Sequence, residues 1–270
     1  MSETDPSGVS ETDPSGLSER SMEMAGTVVI VGGTQGLGRR LAERFAQDGH
    51  PVVITGRDAA RAQGVAAEIA QGVAAEMAEA VAPETGPAVR GCALDLAEPH
   101  DIAACLTGIE NVDHIVLAAV ERDTNSVREY DIARAIRLAT LKLVGYTQVL
   151  HALQHALHDT SSVLLYGGLA KERPYPGSTT VTSVNGAVET MVRTFAIELA
   201  PVRVNALHPG IVGDSPYWED NATVIEAVIE RTPIGRTITT DEVTDAALFL
   251  LRNGAVNGVN LNVDGGWVFG

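Results

Sequence analysis

The stretch with the clearest chemical purpose is Val31-Gly32-Gly33-Thr34-Gln35-Gly36-Leu37-Gly38, which follows the apolar run Thr27–Val31 and leads at Arg39 into a helical pattern. Glycines in such a place let the backbone turn tightly and approach a pyrophosphate. The start of a helix adds unpaired N–H groups and the positive end of its dipole. Gly32, Thr34, Gln35, Gly36, Leu37 and Gly38 are therefore candidate contacts to a dinucleotide. The next apolar run, Pro51–Thr55, ends in Thr55-Gly56-Arg57-Asp58. A carboxylate at that tip would accept hydrogen bonds from a ribose 2′-hydroxyl. Thr55 and Gly56 leave the spot uncharged. The Arg57 guanidinium matches a 2′-phosphate in charge and fork geometry, which favours NADP(H) over NAD(H).

Such a loop needs a scaffold, and the chain supplies one. Short runs rich in Val, Ile and Leu predict buried strands at Thr27–Val31, Pro51–Thr55, Val89–Leu94, His114–Ala118, Ser162–Tyr166, Arg203–Leu207 and Val259–Val263. Between them, helical spacing predicts helices over Leu37–Asp48, Asp58–Ala80, Asp101–Leu106, Tyr130–Leu157, Ser183–Leu199 and Asp241–Leu251. This alternation implies an α/β fold: a single-domain, Rossmann-like, doubly wound parallel sheet of about seven strands with helices on both faces. No linker interrupts it, so residues 25–270 read as one domain. Residues 1–24 hold six acids, one base and the duplicated segment Ser2–Gly8/Ser10–Gly16, and they read as a disordered acidic tail. A second duplication, Gln63–Glu68 and Gln71–Glu76, reads as a lengthened helix.

Composition removes several classes of function. The 270 residues carry 19 Lys+Arg against 35 Asp+Glu, a formal net charge of -16, which disfavours gripping nucleic acid or an anionic membrane. No apolar run suits a signal peptide or a membrane span, and a cytoplasmic protein is expected. Cys92 and Cys105 have no paired spacing and read as small buried hydrophobes, not as a disulfide or zinc site. His151, His155 and His158 recur at i, i+4 and i+7, one helical face, but no partnering acid or Cys pattern supports a metal there, and no metal is expected. Arg128, Arg134 and Arg137 read as surface charges.

With these landmarks in order, the chain resembles the short-chain dehydrogenase/reductase family from about residue 26 to 266. Gly32-x-x-x-Gly36-x-Gly38 resembles its cofactor loop, with Val31 in place of the usual Thr. Asp95-Leu96 resembles the pair that holds the adenine, and Ala118-Ala119 stands where the family's Asn-Asn-Ala-Gly strand end lines the cofactor. Arg203-Val204-Asn205 and Pro209-Gly210-Ile211-Val212 resemble its turn against the nicotinamide; Ile234-Gly235-Arg236, Asp241-Glu242-Val243 and Val263-Asp264-Gly265-Gly266 resemble its C-terminal landmarks. By the same resemblance Ser215, Tyr217 and Trp218 belong to a substrate lid, where aromatics would stack on a flat ligand.

The departure from the family is as informative as the match. Its Tyr-x-x-x-Lys motif protonates the alkoxide, a Ser orients the carbonyl and an Asn completes a proton relay. Here those positions fall on Val181 and Asn185, on Gly168 and on Lys142. None of the usual catalytic side chains survives. Tyr166, Lys171, Tyr175, Tyr217 and water are candidate replacement donors, and so is a phenol on the substrate itself. Tyr166, Gly167, Gly168, Tyr175, Val181, Ser215, Tyr217 and Trp218 would line a widened pocket. The expected function is an NADP(H)-dependent ketoreductase acting on an aromatic polyketide-type ketone in antibiotic biosynthesis, as a homodimer or homotetramer. A non-catalytic NADP-binding subunit or regulator, and a non-redox lyase or isomerase, are the alternatives.

Overall fold

The computed structural model describes residues 25–80, 88–218 and 221–270. The predicted tail, 1–24, lies outside them. Seven parallel strands form one sheet in the order β3-β2-β1-β4-β5-β6-β7. They are β1 Thr27–Val31, β2 Val52–Gly56, β3 Val89–Ala93, β4 Val112–Leu117, β5 Leu157–Tyr166, β6 Arg203–Pro209 and β7 Asn260–Val263. Strand order reverses between β1 and β4, so the loops leaving those two strands splay apart and open a crevice at their carboxyl ends. Register levels the tips that border it: Val31 lies beside Thr55 and Leu117, Leu117 beside Leu165, and Tyr166 beside Leu207.

Alternation within each strand divides the core in two. Val29, Val31, Ile115, Leu117, Val163 and Leu165 face a layer made by α3 (Ile102–Cys105), α5 (Tyr146–Leu153) and α6 (Thr179–Glu198). Val28, Ile30, Val116, Leu164 and Leu207 face α1 (Gly36–Gln47), α2 (Ala59–Ala80) and α8 (Thr240–Arg252). Both copies of the internal duplication lie within α2, as the lengthened-helix reading expects. Cys92 and Cys105 are partly buried against the first core layer, and burial raises the Cys92 thiol above its usual pKa.

Three departures from the sequence reading have physical causes. The helix expected over Tyr130–Leu157 is broken. α4 spans Ile132–Ala139, with Asp131 capping it by accepting from the Arg134 N–H; a π-helical stretch, Thr140–Gly145, then leads into α5, and a 3₁₀ turn ends at Ala156. β5 begins at Leu157, so His158 is a strand residue bonded to Asp113, not the third member of a helical histidine face. α6 starts at Thr179, four residues before the expected Ser183; the β-branched Thr-Thr-Val-Thr run has low intrinsic helix propensity, so its local signal hid a first turn that tertiary packing supports. α7, Ala222–Arg231, was not expected at all. It buries no residue, so it leaves little apolar periodicity to read.

Candidate nucleotide and catalytic site

The glycine loop is shaped by contacts that only glycine permits. Gly32 has φ +91°, and a Cβ there would sit 2.6 Å from the Ala119 backbone at the tip of β4. A Cβ on Gly38 would lie 2.3 Å from the Gly32 carbonyl, so α1 rests directly on the loop. The N–H groups of Gly32 and Gly33 both donate to the Thr55 carbonyl, which ties the loop to β2. Gly36 differs: its φ is +54°, and a Cβ there would meet nothing within 4 Å. No side chain caps the α1 N-terminus at Gln35, and no acid lies in its first turn. An open cradle beside uncapped amides and free of negative charge suits a pyrophosphate. Gln35 is exposed and accepts from Arg61 Nη2, while Thr34 folds onto Gly56, where a Cβ would come 2.7 Å from Thr34 Cγ2. A carboxylate at position 56 would therefore displace Thr34.

Where the resemblance expects the adenosine, the structure shows a charge network that the sequence reading missed. Asp95 Oδ1 accepts from the Ala97 N–H at 2.9 Å, and both Asp95 oxygens accept from Arg137 Nη2. Arg137 Nε donates to both oxygens of Glu121, and Arg57 Nη1 lies 3.6 Å from Glu121 Oε2. Burial pushes the Asp95 carboxyl up, but the Ala97 N–H and the Arg137 guanidinium outweigh it and hold its pKa below the usual carboxylate value. Arg137 is thus a half-buried bridge, correcting its reading as a surface charge; Arg134 is exposed but lies 3.2 Å from the buried Asp123 Oδ1. Only Arg128 keeps the plain surface reading, exposed and outside every ion pair among the described residues. The Arg57 side chain is 68% exposed and free to swing toward a ligand.

Where the resemblance expects the nicotinamide, Ala118 and Ala119 follow β4, and Pro209–Val212 leaves the tip of β6. The Gly210 N–H donates to the Val263 carbonyl, and a Cβ on Gly210 would touch Asp264 at 3.0 Å. Val212 pairs with Ile238, which anchors the stretch bearing Ser215, Tyr217 and Trp218. Arg203 and Asn205, expected beside the nicotinamide, instead occupy the opposite half of β6. They donate to carbonyls of Leu250, Leu251 and Val256 and hold the end of α8.

The residues at the family's catalytic positions do come together. Gly168 and Asn185 are neighbours: a Cβ on Gly168 would lie 2.7 Å from Asn185 Nδ2. Val181 stands one helical turn earlier on α6. A Cβ on Gly167 would strike His208 Nδ1 at 2.3 Å. His208 is fully buried; Nδ1 accepts from the Gly168 N–H, so Nε2–H donates to Asn260 Oδ1. Burial, the largest cause, lowers its pKa and favours the neutral ring. Nothing in the sequence around His208 distinguished it from any buried strand residue. Lys142 is 2% exposed and donates to Tyr146 Oη at 2.6 Å and to the Tyr166 carbonyl at 2.8 Å.

The candidate donors separate by position. Tyr166 is buried; its ring packs with the α1/α8 core layer and its hydroxyl has no partner, so burial raises its pKa. Lys171 pairs with Glu172 and, at 3.3 Å, with Glu189. Tyr175 and Tyr217 remain exposed. Tyr217 meets Trp218 edge to face at 4.7 Å, and the Arg122 guanidinium stacks 3.1 Å from the Tyr217 ring centroid. Tyr175 feels Arg122 and Tyr217, though burial dominates and raises its phenol. The loop after β4, the loop after β5 and the stretch after β6 thus converge on one cationic, aromatic corner, of which Arg122 was not foreseen. Among the described residues no group of three or more His, Cys, Asp or Glu is placed to hold a metal.

A family model described as enoyl-(acyl carrier protein) reductase matches residues 31–268. A short-chain dehydrogenase/reductase, ucsE, of Acremonium sp is 28% identical over 88% of this chain and 94% of its own. A Streptomyces violaceoruber protein, named as ketoacyl reductase 2 of the granaticin polyketide synthase, is 28% identical over 90% of this chain and 96% of its own. A solved short-chain dehydrogenase/reductase family protein superposes with a TM-score of 0.74 at 29% identity, covering 90% of this chain and 98% of that one. The chain belongs to the short-chain dehydrogenase/reductase family. Its class of activity is that of an NAD(P)H-dependent oxidoreductase.

Proposed function

We propose that the chain is an NADPH-dependent ketoreductase acting on a bulky aromatic polyketide ketone of antibiotic biosynthesis, of the polycyclic, phenolic angucyclinone kind. The observation that carries this reading is a contrast: the pyrophosphate cradle is intact, while Gly168, Val181 and Asn185 offer no acid where the family keeps one. The bound nicotinamide supplies a hydride. Gly32, Thr34, Gly36, Leu37 and Gly38 would hold its phosphates, Arg57 the 2′-phosphate, Asp95 and Leu96 the adenine, and Ala118, Ala119 and Pro209–Val212 the nicotinamide ribose and ring. The absent Tyr is worth roughly 10²–10⁴ in rate. A substrate phenol beside the carbonyl reaches effective molarities of about 10⁵ M and offsets that loss; water is the other source. The room for a flat, wide ligand comes from Val181 in place of a tyrosine ring, because His208 and Asn185 already pack against Gly167 and Gly168, which corrects the expectation that those glycines widen the pocket. The granaticin relative supports a polyketide ketone as substrate.

NADPH oxidation with a panel of phenolic polycyclic ketones tests the reading, with product mass as the readout. A product heavier by two hydrogens supports it; an isomer, a lyase product or no turnover despite NADPH binding sinks it. Arg57→Ala should raise KM for NADPH about tenfold or more and leave NADH almost unchanged, since a charged hydrogen bond contributes roughly 1.5–3 kcal/mol. Tyr217→Ala should raise KM for a flat ketone about tenfold through lost stacking, with the NADPH dissociation constant unmoved. The reading includes a cytoplasmic location and a homodimer or homotetramer; the assembly alone is supported by Ile132 and Ile136, 65% and 61% exposed on α4. Light scattering on the purified chain checks the oligomer.

A further inference from the structure

We infer that Lys142 is the proton source of this site: its ammonium, buried beneath the tips of β4 and β5, passes a proton through an ordered water to the oxygen of the ketone being reduced. The inference rests on the ketoreductase reading and selects the water-borne route within it.

Placement is the first support. Lys142 Nζ donates to the Tyr166 carbonyl, two residues before Gly168, and to Tyr146 Oη. The single Tyr146 hydroxyl proton is in turn shared between the carbonyls of Leu117 and Ala119, at 2.8 and 2.9 Å. The amine is therefore one hydrogen bond from the β5 tip and two from Ala119, the residue against which Gly32 closes. It forms the floor between the cofactor loop and the Gly167-Gly168 turn.

Protonation chemistry is the second. A neutral amine has two N–H donors and an ammonium has three. Tyr146 and Tyr166 use two, and the third position has no protein partner among the described residues. Gaining or losing a proton therefore leaves both bonds intact and changes only the position left for water. Among the described residues no charged side chain pairs with the amine. Tyr146, on its own helix, is held protonated by burial; β4 and β5 present carbonyls; α6, packed against this stretch, buries the uncharged Thr180 and Asn185. Burial lowers the amine's pKa to about 7, so both forms are populated at neutral pH. The balance closes: the carbonyl carbon takes a hydride from the reduced nicotinamide, the oxygen takes a proton from water, the ammonium restores that water, and solvent reprotonates the amine.

The chain has two lysines, Lys142 and Lys171, so protein labelled with ¹³C at lysine Cε gives two signals, assigned by Lys142→Arg. The Lys142 signal should titrate near neutrality; a midpoint above pH 10 overturns the inference. With a phenolic ketone, wild-type kcat should fall tenfold per pH unit above that midpoint. Lys142→Arg keeps donors and charge but cannot release its proton. It should fold, lose on the order of 10²-fold in kcat at pH 7 with KM nearly constant, and flatten the alkaline limb. Lys142→Met should flatten it as well. A wild-type rate and profile in either variant overturns the inference and points to the substrate's own phenol. Failure of NADPH to bind the wild type topples the ketoreductase reading, and this inference with it, whatever the lysine signal does.

Discussion

Gly36→Ala should abolish tight NADPH binding while leaving the fold nearly as stable as before, and Gly32→Ala should damage both. The two glycines sit four residues apart in one loop but meet different surroundings. At Gly36 the added methyl enters open space, and the fold bears only the left-handed backbone penalty of roughly 1–2 kcal/mol. That open space is where a pyrophosphate would approach the α1 amides, so the methyl should cost the ligand its contacts. We expect a dissociation constant at least about 10²-fold higher, the equivalent of one or two charge-assisted hydrogen bonds. At Gly32 the methyl strikes the Ala119 backbone, a rigid strand end, at a φ that L residues avoid. Strain of about 1–3 kcal/mol adds to the clash, and the loop must leave β4. Fluorescence titration with NADPH and urea denaturation separate the two effects. Unchanged NADPH affinity in Gly36→Ala would remove the loop from the nucleotide site.

The sheet and its loop were legible because their signals are local. Continuous Val and Ile runs marked β1 and β2, and the spacing of Gly32, Gly36 and Gly38 marked the turn between strand and helix. What escaped depends on distant partners. Arg137 reads as a solvated charge until Asp95, 42 residues away in sequence, is seen to grip it. Arg122 and Tyr217 meet only because the loop after β4 folds under the lid. His208 gains its tautomer from the Gly168 N–H, 40 residues earlier, and donates its own proton to Asn260. Lys142 stands where the resemblance expects the family's Asn, yet nothing in Leu-Lys-Leu-Val-Gly says that its amine is buried. The π-helical stretch that holds it has no sequence signature comparable to a proline kink.

Three of these long-range contacts, those of Lys142, His208 and Arg122, lie at the tips and following loops of β4, β5 and β6. The retained features, the glycine loop and the strand tips, are backbone devices that any side chain set can inherit. The lost features are side-chain devices, and what replaces them is also built from side chains: Lys142 below, His208 behind Gly167, and Arg122 with Tyr217 above. A pocket cleared at Gly167 and Gly168 is already half filled, by His208 on one side and by Asn185 on the other. Restoring a serine at 168 would therefore push Asn185 away before it could touch a carbonyl. On the proposed reading, the departure from the family is a rebuilt site, not a family site with deletions.

Acid should unfold the protein through His114, at the end of the sheet farthest from this chemistry. His114 Nδ1 lies 2.9 Å from Ser162 Oγ, whose own proton goes to the Leu251 carbonyl; the ring is therefore the donor, and its proton is on Nδ1. Phe45 packs on the ring with centroids 5.2 Å apart. Burial, the largest cause, lowers the folded pKa to about 4 from 6.5; Asp113 opposes it, and His50, Arg203 and Arg252 add to it. The unfolded chain takes up a proton near pH 6.5 and the folded chain only near 4, so stability is complete above 6.5 and drains away as pH falls toward 4. At pH 5 the loss from this one group is about 2 kcal/mol. His114→Asn, which keeps a donor for Ser162 but has no proton to gain, should start less stable at pH 7.5 and lose about 2 kcal/mol less than wild type between pH 7.5 and 5, measured by urea denaturation. Equal losses in both proteins would clear His114. This window lies below the one in which Lys142 titrates, so a fall in activity below pH 6 reports unfolding pressure on the sheet, and a fall above pH 7 reports the proton supply.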